Sequence, residues 1–207
     1  MKAVGLAGAH RVGKTTLAQV YSQRWTVPFV ETSLSKIYEK SGLSVNDDIP
    51  YAQRLEIQHK LLSHIKEVYK SQSGTQFITD RTPIDLAAYL LSYMPHNVDE
   101  SLSKATTDYI DDCFKATDCH FDQIVVIQPG IALDETGLSS KGACIEAWIE
   151  KLNYLIRGLV QTHKLALATS YIFGRHMTDL DERVAAVGRC VGLEERQLIH
   201  SASDFIH

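Results

Sequence analysis

Val4 to Val20, V-G-L-A-G-A-H-R-V-G-K-T-T-L-A-Q-V, is the stretch that decides the fold. Gly8 and Gly13 bracket four residues, and Lys14 and Thr15 follow at once, which fills the phosphate-loop pattern G-x-x-x-x-G-K-[ST] without a mismatch. Backbone N–H groups can wrap a pyrophosphate only where the chain turns tightly with no Cβ in the way, and Gly8 and Gly13 are those positions. A helix opening near Gly13 aims its free amides and the positive end of its dipole at the same anion. The expected cradle is therefore Gly8, His10, Arg11, Val12, Gly13, Lys14, Thr15 and Thr16, with the His10 and Arg11 side chains turned outward while the amides bind. Lys14 has the reach for the β and γ phosphates, and the Thr15 hydroxyl suits the Mg²⁺ that travels with ATP. The competing reading of the same residues is a glycine-rich turn that binds nothing.

Outward from the loop, Val4 to Ala7 reads as a short buried strand and Thr16 to Trp25 as a helix. Val27 to Glu31 reads as a second strand ending in a carboxylate, followed by a helix over Leu34 to Lys40. Tyr51, Leu55, Gln58, Leu62, Ile65 and Tyr69 share one face of a long amphipathic helix. Gln76 to Asp80 is a strand ending in Asp80, and Pro83 has the fixed φ of a first helical position for Ile84 to Met94. Asp99 to Thr117 reads as a helix, Gln123 to Gln128 as the central strand, and Pro129 to Gly142 as a lid loop. Ile145, Trp148, Ile149, Leu152, Leu155, Ile156 and Leu159 mark a periodic helix; Leu165 to Thr169 is the last strand candidate and Leu180 to Val191 the last helix. This alternation predicts one α/β domain over residues 1–207, a parallel sheet with helices on both faces and its ligands at the carboxyl ends of the strands.

Composition narrows the partners. A chain of 207 residues with 21 Lys+Arg against 25 Asp+Glu carries a formal net charge of −4, which disfavours long nucleic acid and suits small anionic metabolites. Cys113, Cys119, Cys144 and Cys190 are scattered without metal-ligand spacing and read as small core residues of a protein in a reducing cytoplasm. No apolar run has the length of a membrane span, and no signal pattern opens the chain. His59 and His64 lack the spacing of a metal pair.

Several side chains have chemistry to offer. Asp80 reads as a Mg²⁺ carboxylate, direct or through water, with a helix cap as the alternative. Arg81 has the planar fork to grip a phosphate, or else forms a surface ion pair. Glu31 can take the proton of an acceptor hydroxyl, hold sugar or base edges if the acceptor is a phosphate, or simply be solvated. Gln53, Arg54 and Gln58 on the long helix are candidates for the acceptor, and Lys141 is the lone cation of the lid.

G-A-H-R-V-G-K-T-T-L-A at Gly8 to Ala18, V-E at Val30 and Glu31, the glutamine-bearing helix, and D-R-T-P-I-D-L-A-A-Y-L at Asp80 to Leu90 together resemble P-loop nucleoside and nucleotide kinases. The D-R-x-x-x-x-x-x-A-Y string is similar to that of thymidylate kinases, although Thr82 stands where those carry an aromatic and the arginine-rich lid is missing. The order of elements, with F-G-R-H-M-T-D-L-D-E-R-V from Phe173, more closely resembles the nicotinamide riboside kinase and AAA-type small kinases of bacteria and phages. The resemblance implies a five-stranded parallel sheet, ATP as donor, Mg²⁺ near Asp80, and Arg81 and Glu31 facing a nucleoside or deoxynucleoside monophosphate. A homodimer is compatible with it. Two other readings stand beside this one: a kinase acting on a hydroxymethyl pyrimidine in phage DNA, and a nucleotide-dependent switch, for which no water-orienting residue or switch loop is evident.

Overall fold

In the computed structural model, which describes residues 3–40, 42–43, 47–131, 146–163 and 165–193, the chain runs β1 (Val4–Ala7), α1 (Lys14–Trp25), α2 (Ser35–Lys40), α3 (Tyr51–Lys70), β2 (Ile78–Thr79), α4 (Pro83–Ser92), α5 (Glu100–His120), β3 (Gln123–Ile127), α6 (Glu146–Thr162), β4 (Thr169–Phe173) and α7 (Leu180–Cys190). The described strands form one parallel sheet in the order β2-β1-β3-β4.

The strand period sorts the core into two layers. Val4 and Leu6 of β1, with Val125 and Ile127 of β3, pack with Leu17, Ala18 and Tyr21 of α1 and Val184 and Val187 of α7. Their neighbours Ala7, Ile124 and Val126 point the other way, into residues of α3, α4 and α5 such as Ile65, Ala87 and Cys113. A strand buried on both faces has no polar side to show, which is why β1 and β3 read as unbroken apolar runs.

Among the described residues four strands stand where five were expected, because Val27 to Glu31 contributes only a bridge between Phe29 and Ile78. Two hydrogen bonds close it, from the Ile78 N–H to the Pro28 carbonyl at 2.9 Å and from the Val30 N–H to the Ile78 carbonyl at 2.8 Å. It cannot lengthen backwards, since Pro28 has no N–H and that of Val27 is spent on the Ser22 carbonyl as α1 ends.

The last strand is also displaced: Leu165 to Thr169 is mostly the approach to it, and β4 begins at Thr169. β4 is an edge strand whose first three residues are exposed, and Leu167, one of the two leucines of the expected strand, is 78% exposed. What orders the approach is a carboxylate. Asp118 of α5 accepts from the backbone N–H groups of Ala166, Leu167 and Ala168 at 2.9, 3.0 and 3.0 Å. Desolvation would raise its pKa, but these three amides outweigh it and hold the carboxyl below its ordinary value. A depressed folded pKa gives stability that is present above the unfolded value and is lost as pH falls through the folded one. Asp118→Asn is therefore expected to cost about 1 kcal/mol at neutral pH, modest because the site is half-exposed. Urea melts should show the gap closing below about pH 4, and a pH-independent gap would refute the assignment.

Cys113 is buried as expected, but Cys119 is exposed and Cys190 half-buried, so the four cysteines are not uniformly core residues; Cys144 lies outside the described residues. No described helix is long and apolar enough to cross a membrane.

Candidate active site

The loop after β1 takes the backbone course that its glycines permit. Gly13 has φ 84° and Gly8 φ 156°, and a Cβ on Gly8 would lie 2.6 Å from the Ile127 carbonyl oxygen, so no side chain fits there. Arg11 sits at φ 61°, an unusual conformation for a residue with a side chain, held by the loop around it. His10 lies against the ring of Tyr89 of α4 at 4.8 Å between centroids.

Lys14 is the first residue of α1 and is 6% exposed. Its ammonium donates to the carbonyls of Gly8 at 2.5 Å and Ala9 at 2.7 Å, so it is folded over the loop that precedes it. Burial draws its pKa down to about 8; Asp85 opposes this, Arg81 adds to the lowering, and Asp80 opposes it again.

Thr15 donates its hydroxyl to Asp80, which follows β2 directly. The parallel pairing of β1 with β2 brings this about, because both strands deliver their next residues to the same rim. The alternative role for Asp80, capping the next helix, is taken by another residue. Thr82 is the N-cap of α4, and its hydroxyl accepts from the Asp85 N–H.

Asp85 is a residue to which the sequence reading gave no role. It is fully buried, and its two oxygens accept from the Gly8 N–H at 2.9 Å, the Thr82 N–H at 2.8 Å and the Thr82 hydroxyl at 2.7 Å. One carboxylate thus ties the entry of the phosphate loop to the segment that carries Arg81. A capping box at T-P-I-D was the available signal; its second bond, to a loop 77 residues away, had none. Asp85→Ala strands the Gly8 and Thr82 donors and is expected to destabilise by about 2 to 3 kcal/mol. Denaturant unfolding measures this, and a loss below about 0.5 kcal/mol would contradict it.

Arg81 is half-buried, and its carbonyl accepts from the Tyr69 hydroxyl of α3 at 2.7 Å. Burial would lower its pKa, but Tyr89, Asp85 and Asp80 together raise it, so the guanidinium is held charged between carboxylates. It is not the exposed member of a surface pair. Glu31 stands exposed two residues beyond Phe29, as Asp80 stands two beyond Ile78, so the bridge sets both on one rim. His64 of α3 meets the Thr32 carbonyl at 2.9 Å and His59 lies against the Tyr109 ring; among the described residues no cluster of three or more His, Cys, Asp or Glu side chains is placed to hold a metal.

Arg54 and Gln58, expected at the acceptor, are buried in α3, at 4% and 3% exposure. The Arg54 guanidinium lies 3.7 Å from the Tyr93 ring centroid and donates to the Asp47 carbonyl at 2.9 Å. Gln58 accepts from the Tyr109 hydroxyl at 3.2 Å. The lid, with Lys141, lies outside the described residues beyond Ile131.

A glycine-bracketed turn, a lysine opening the next helix and a threonine–aspartate pair on the carboxyl rim of a parallel sheet define a P-loop protein. The chain belongs to the AAA domain family AAA_28, whose model matches residues 3–122. Among solved structures it is similar to deoxyadenosine kinase from M. mycoides, with a TM-score of 0.66 and 14% identity over 91% of this chain and 98% of that one; that enzyme was solved with dCMP and dCDP. It is similar to NadR in complex with NR, with a TM-score of 0.62 and 19% identity over 93% of this chain, and spans 52% of NadR. It is also similar to YorR from Bacillus subtilis, solved with phosphorylated GDP, with a TM-score of 0.53 and 15% identity over 96% of this chain and 98% of that one. No functionally curated protein matches the sequence.

Proposed function

We propose that residues 1–207 act as one kinase domain that moves the γ-phosphoryl of Mg·ATP to a hydroxyl of a nucleoside. The observation that carries this reading is the Thr15–Asp80 contact beside the buried Lys14, an oxygen pair and a cation assembled at the mouth of the phosphate loop. A hydroxyl and a carboxylate are hard oxygen donors of the kind Mg²⁺ prefers, so Thr15 and Asp80 are the residues that would hold it. When bound, that ion neutralises charge on the phosphate oxygens. Lys14 swings from the Gly8 and Ala9 carbonyls to the phosphates, and the loop amides bind and orient them.

The acceptor follows from the charges on the rim. Arg54 is engaged with Tyr93 and the Asp47 carbonyl, and Arg81 is flanked by Asp80 and Asp85, while Glu31 is exposed. A neutral hydroxyl is compatible with an exposed carboxylate that can take its proton; a phosphate dianion would be repelled by it. The likeness to deoxyadenosine kinase, and to NadR in its complex with NR, is in line with this.

The test is ADP release, with product identification by mass spectrometry, from protein given Mg·ATP and a panel of ribonucleosides, deoxynucleosides, nicotinamide riboside and monophosphates. Turnover is expected with one or a few nucleosides. Turnover confined to monophosphates would overturn the acceptor assignment, and no phosphorylated product with any acceptor would overturn the kinase reading.

A further inference from the structure

Arg183 lies in α7, 171 residues from the phosphate loop, yet its guanidinium donates from Nη1 to the Val12 carbonyl at 2.9 Å and from Nε to the Met177 carbonyl at 2.6 Å. A Cβ on Gly13 would lie 3.4 Å from the same Nη1, so the charged group is packed against the turn itself. The side chain is 2% exposed, which makes it one of the largest fully buried side chains described.

Buried charges in folded proteins are ordinarily paired. Arg183 pairs with no carboxylate among the described residues. Asp179, Asp181 and Glu182 begin the same helix, but Asp179 caps the Glu182 N–H, Asp181 pairs with Arg24 of α1, and none forms an ion pair with Arg183. Burial alone sets the direction of its pKa, downwards, with no compensating anion. The fold keeps a cation behind the phosphate loop and provides it no described counter-charge.

We propose that Arg183 is a concealed cation of the donor site, a positioning residue whose counter-charge is the polyphosphate of the bound nucleoside triphosphate. This rests on reading Gly8 to Thr15 as a triphosphate site. Arg183 acts in two ways. Its bond to the Val12 carbonyl polarises the peptide whose other end is the Gly13 N–H, strengthening that amide as a donor. Its second bond pins the Met177 segment, which follows β4, to the loop, so the turn is braced from behind. Neither effect needs contact with the nucleotide, and both grow with the number of phosphates bound.

Displacement of a fluorescent ATP analogue from the full chain, in the presence of Mg²⁺, tests this with ATP, ADP and adenosine as competitors. Arg183→Gln keeps one donor and removes the charge. It is expected to weaken ATP about tenfold or more, ADP by less, and adenosine by under about threefold, the size of a lost charge-assisted hydrogen bond. Arg183→Lys, which keeps the charge, should stay within about threefold of wild type for ATP, and if the glutamine variant does not fold, Arg183→Met, which removes the charge and keeps an apolar stem, takes its place in the comparison. A merely structural arginine predicts equal losses for ATP and adenosine in the charge-removing variant, and that result overturns the proposal, as does unchanged ATP affinity in that variant once folded. Failure of the wild-type chain to bind the analogue would instead overturn the triphosphate site, and the proposal with it.

Discussion

Lys14→Met is expected to lower kcat/KM by about 10³-fold while leaving the fold intact, the loss typical of removing a preorganised electrostatic group from a transition state. Methionine keeps most of the length and the apolar stem of lysine and deletes the ammonium, with its charge and its bonds to the Gly8 and Ala9 carbonyls. Because Lys14 is 6% exposed, that charge is kept in the folded chain at a cost, which shows as its pKa drawn down to about 8. A lysine whose folded pKa lies below its unfolded value destabilises the fold below the folded pKa and ceases to do so as pH rises towards the unfolded one. Without nucleotide, the stability of wild type relative to Lys14→Met should therefore improve between about pH 8 and 10.5. Thermal melts across that range and initial rates at neutral pH measure the two effects. Retention of more than about a tenth of wild-type kcat/KM would remove Lys14 from the site.

Asp80→Asn is the second substitution with a large expected effect. Asparagine still presents an oxygen to the Thr15 hydroxyl, so the local packing survives, but the negative charge that suits a divalent cation is gone. The rate at limiting Mg²⁺ should fall by about 10²- to 10³-fold, and the Mg²⁺ concentration for half-maximal rate should rise. A titration of rate against Mg²⁺ at fixed ATP separates the two parameters. An unchanged Mg²⁺ midpoint would show that Asp80 serves the fold and not the metal.

The phosphate loop and Asp80 were legible because both are local signals: a turn that needs glycine at fixed spacing, and an apolar strand that ends in a carboxylate. Lys14, Thr15 and Asp80 then meet because parallel pairing brings the ends of β1 and β2 to one rim. Asp85 and Arg183 were not legible in this role, since each earns it from a partner 77 or 171 residues away that no local pattern predicts. Arg54 misled for a different reason. Helical periodicity expects an arginine to face water, and the ring of Tyr93 and the Asp47 carbonyl beside it make burial tolerable. The displaced fourth strand has an equally physical cause: Leu165 to Thr169 is the more apolar run, but three amides bonded to Asp118 commit its middle to a turn, and pairing with β3 falls to the next residues.

The grip of Arg183 on Val12 also bears on how the chain matures. A ribosome releases the glycine-rich turn 171 residues before the arginine that braces it. Strand β1 must likewise wait for β3, more than a hundred residues later, before its second edge is covered. On the proposed reading the nascent polypeptide therefore holds its phosphate-loop segment unbraced until α7 has emerged and docked, and ATP binding is expected only from that point.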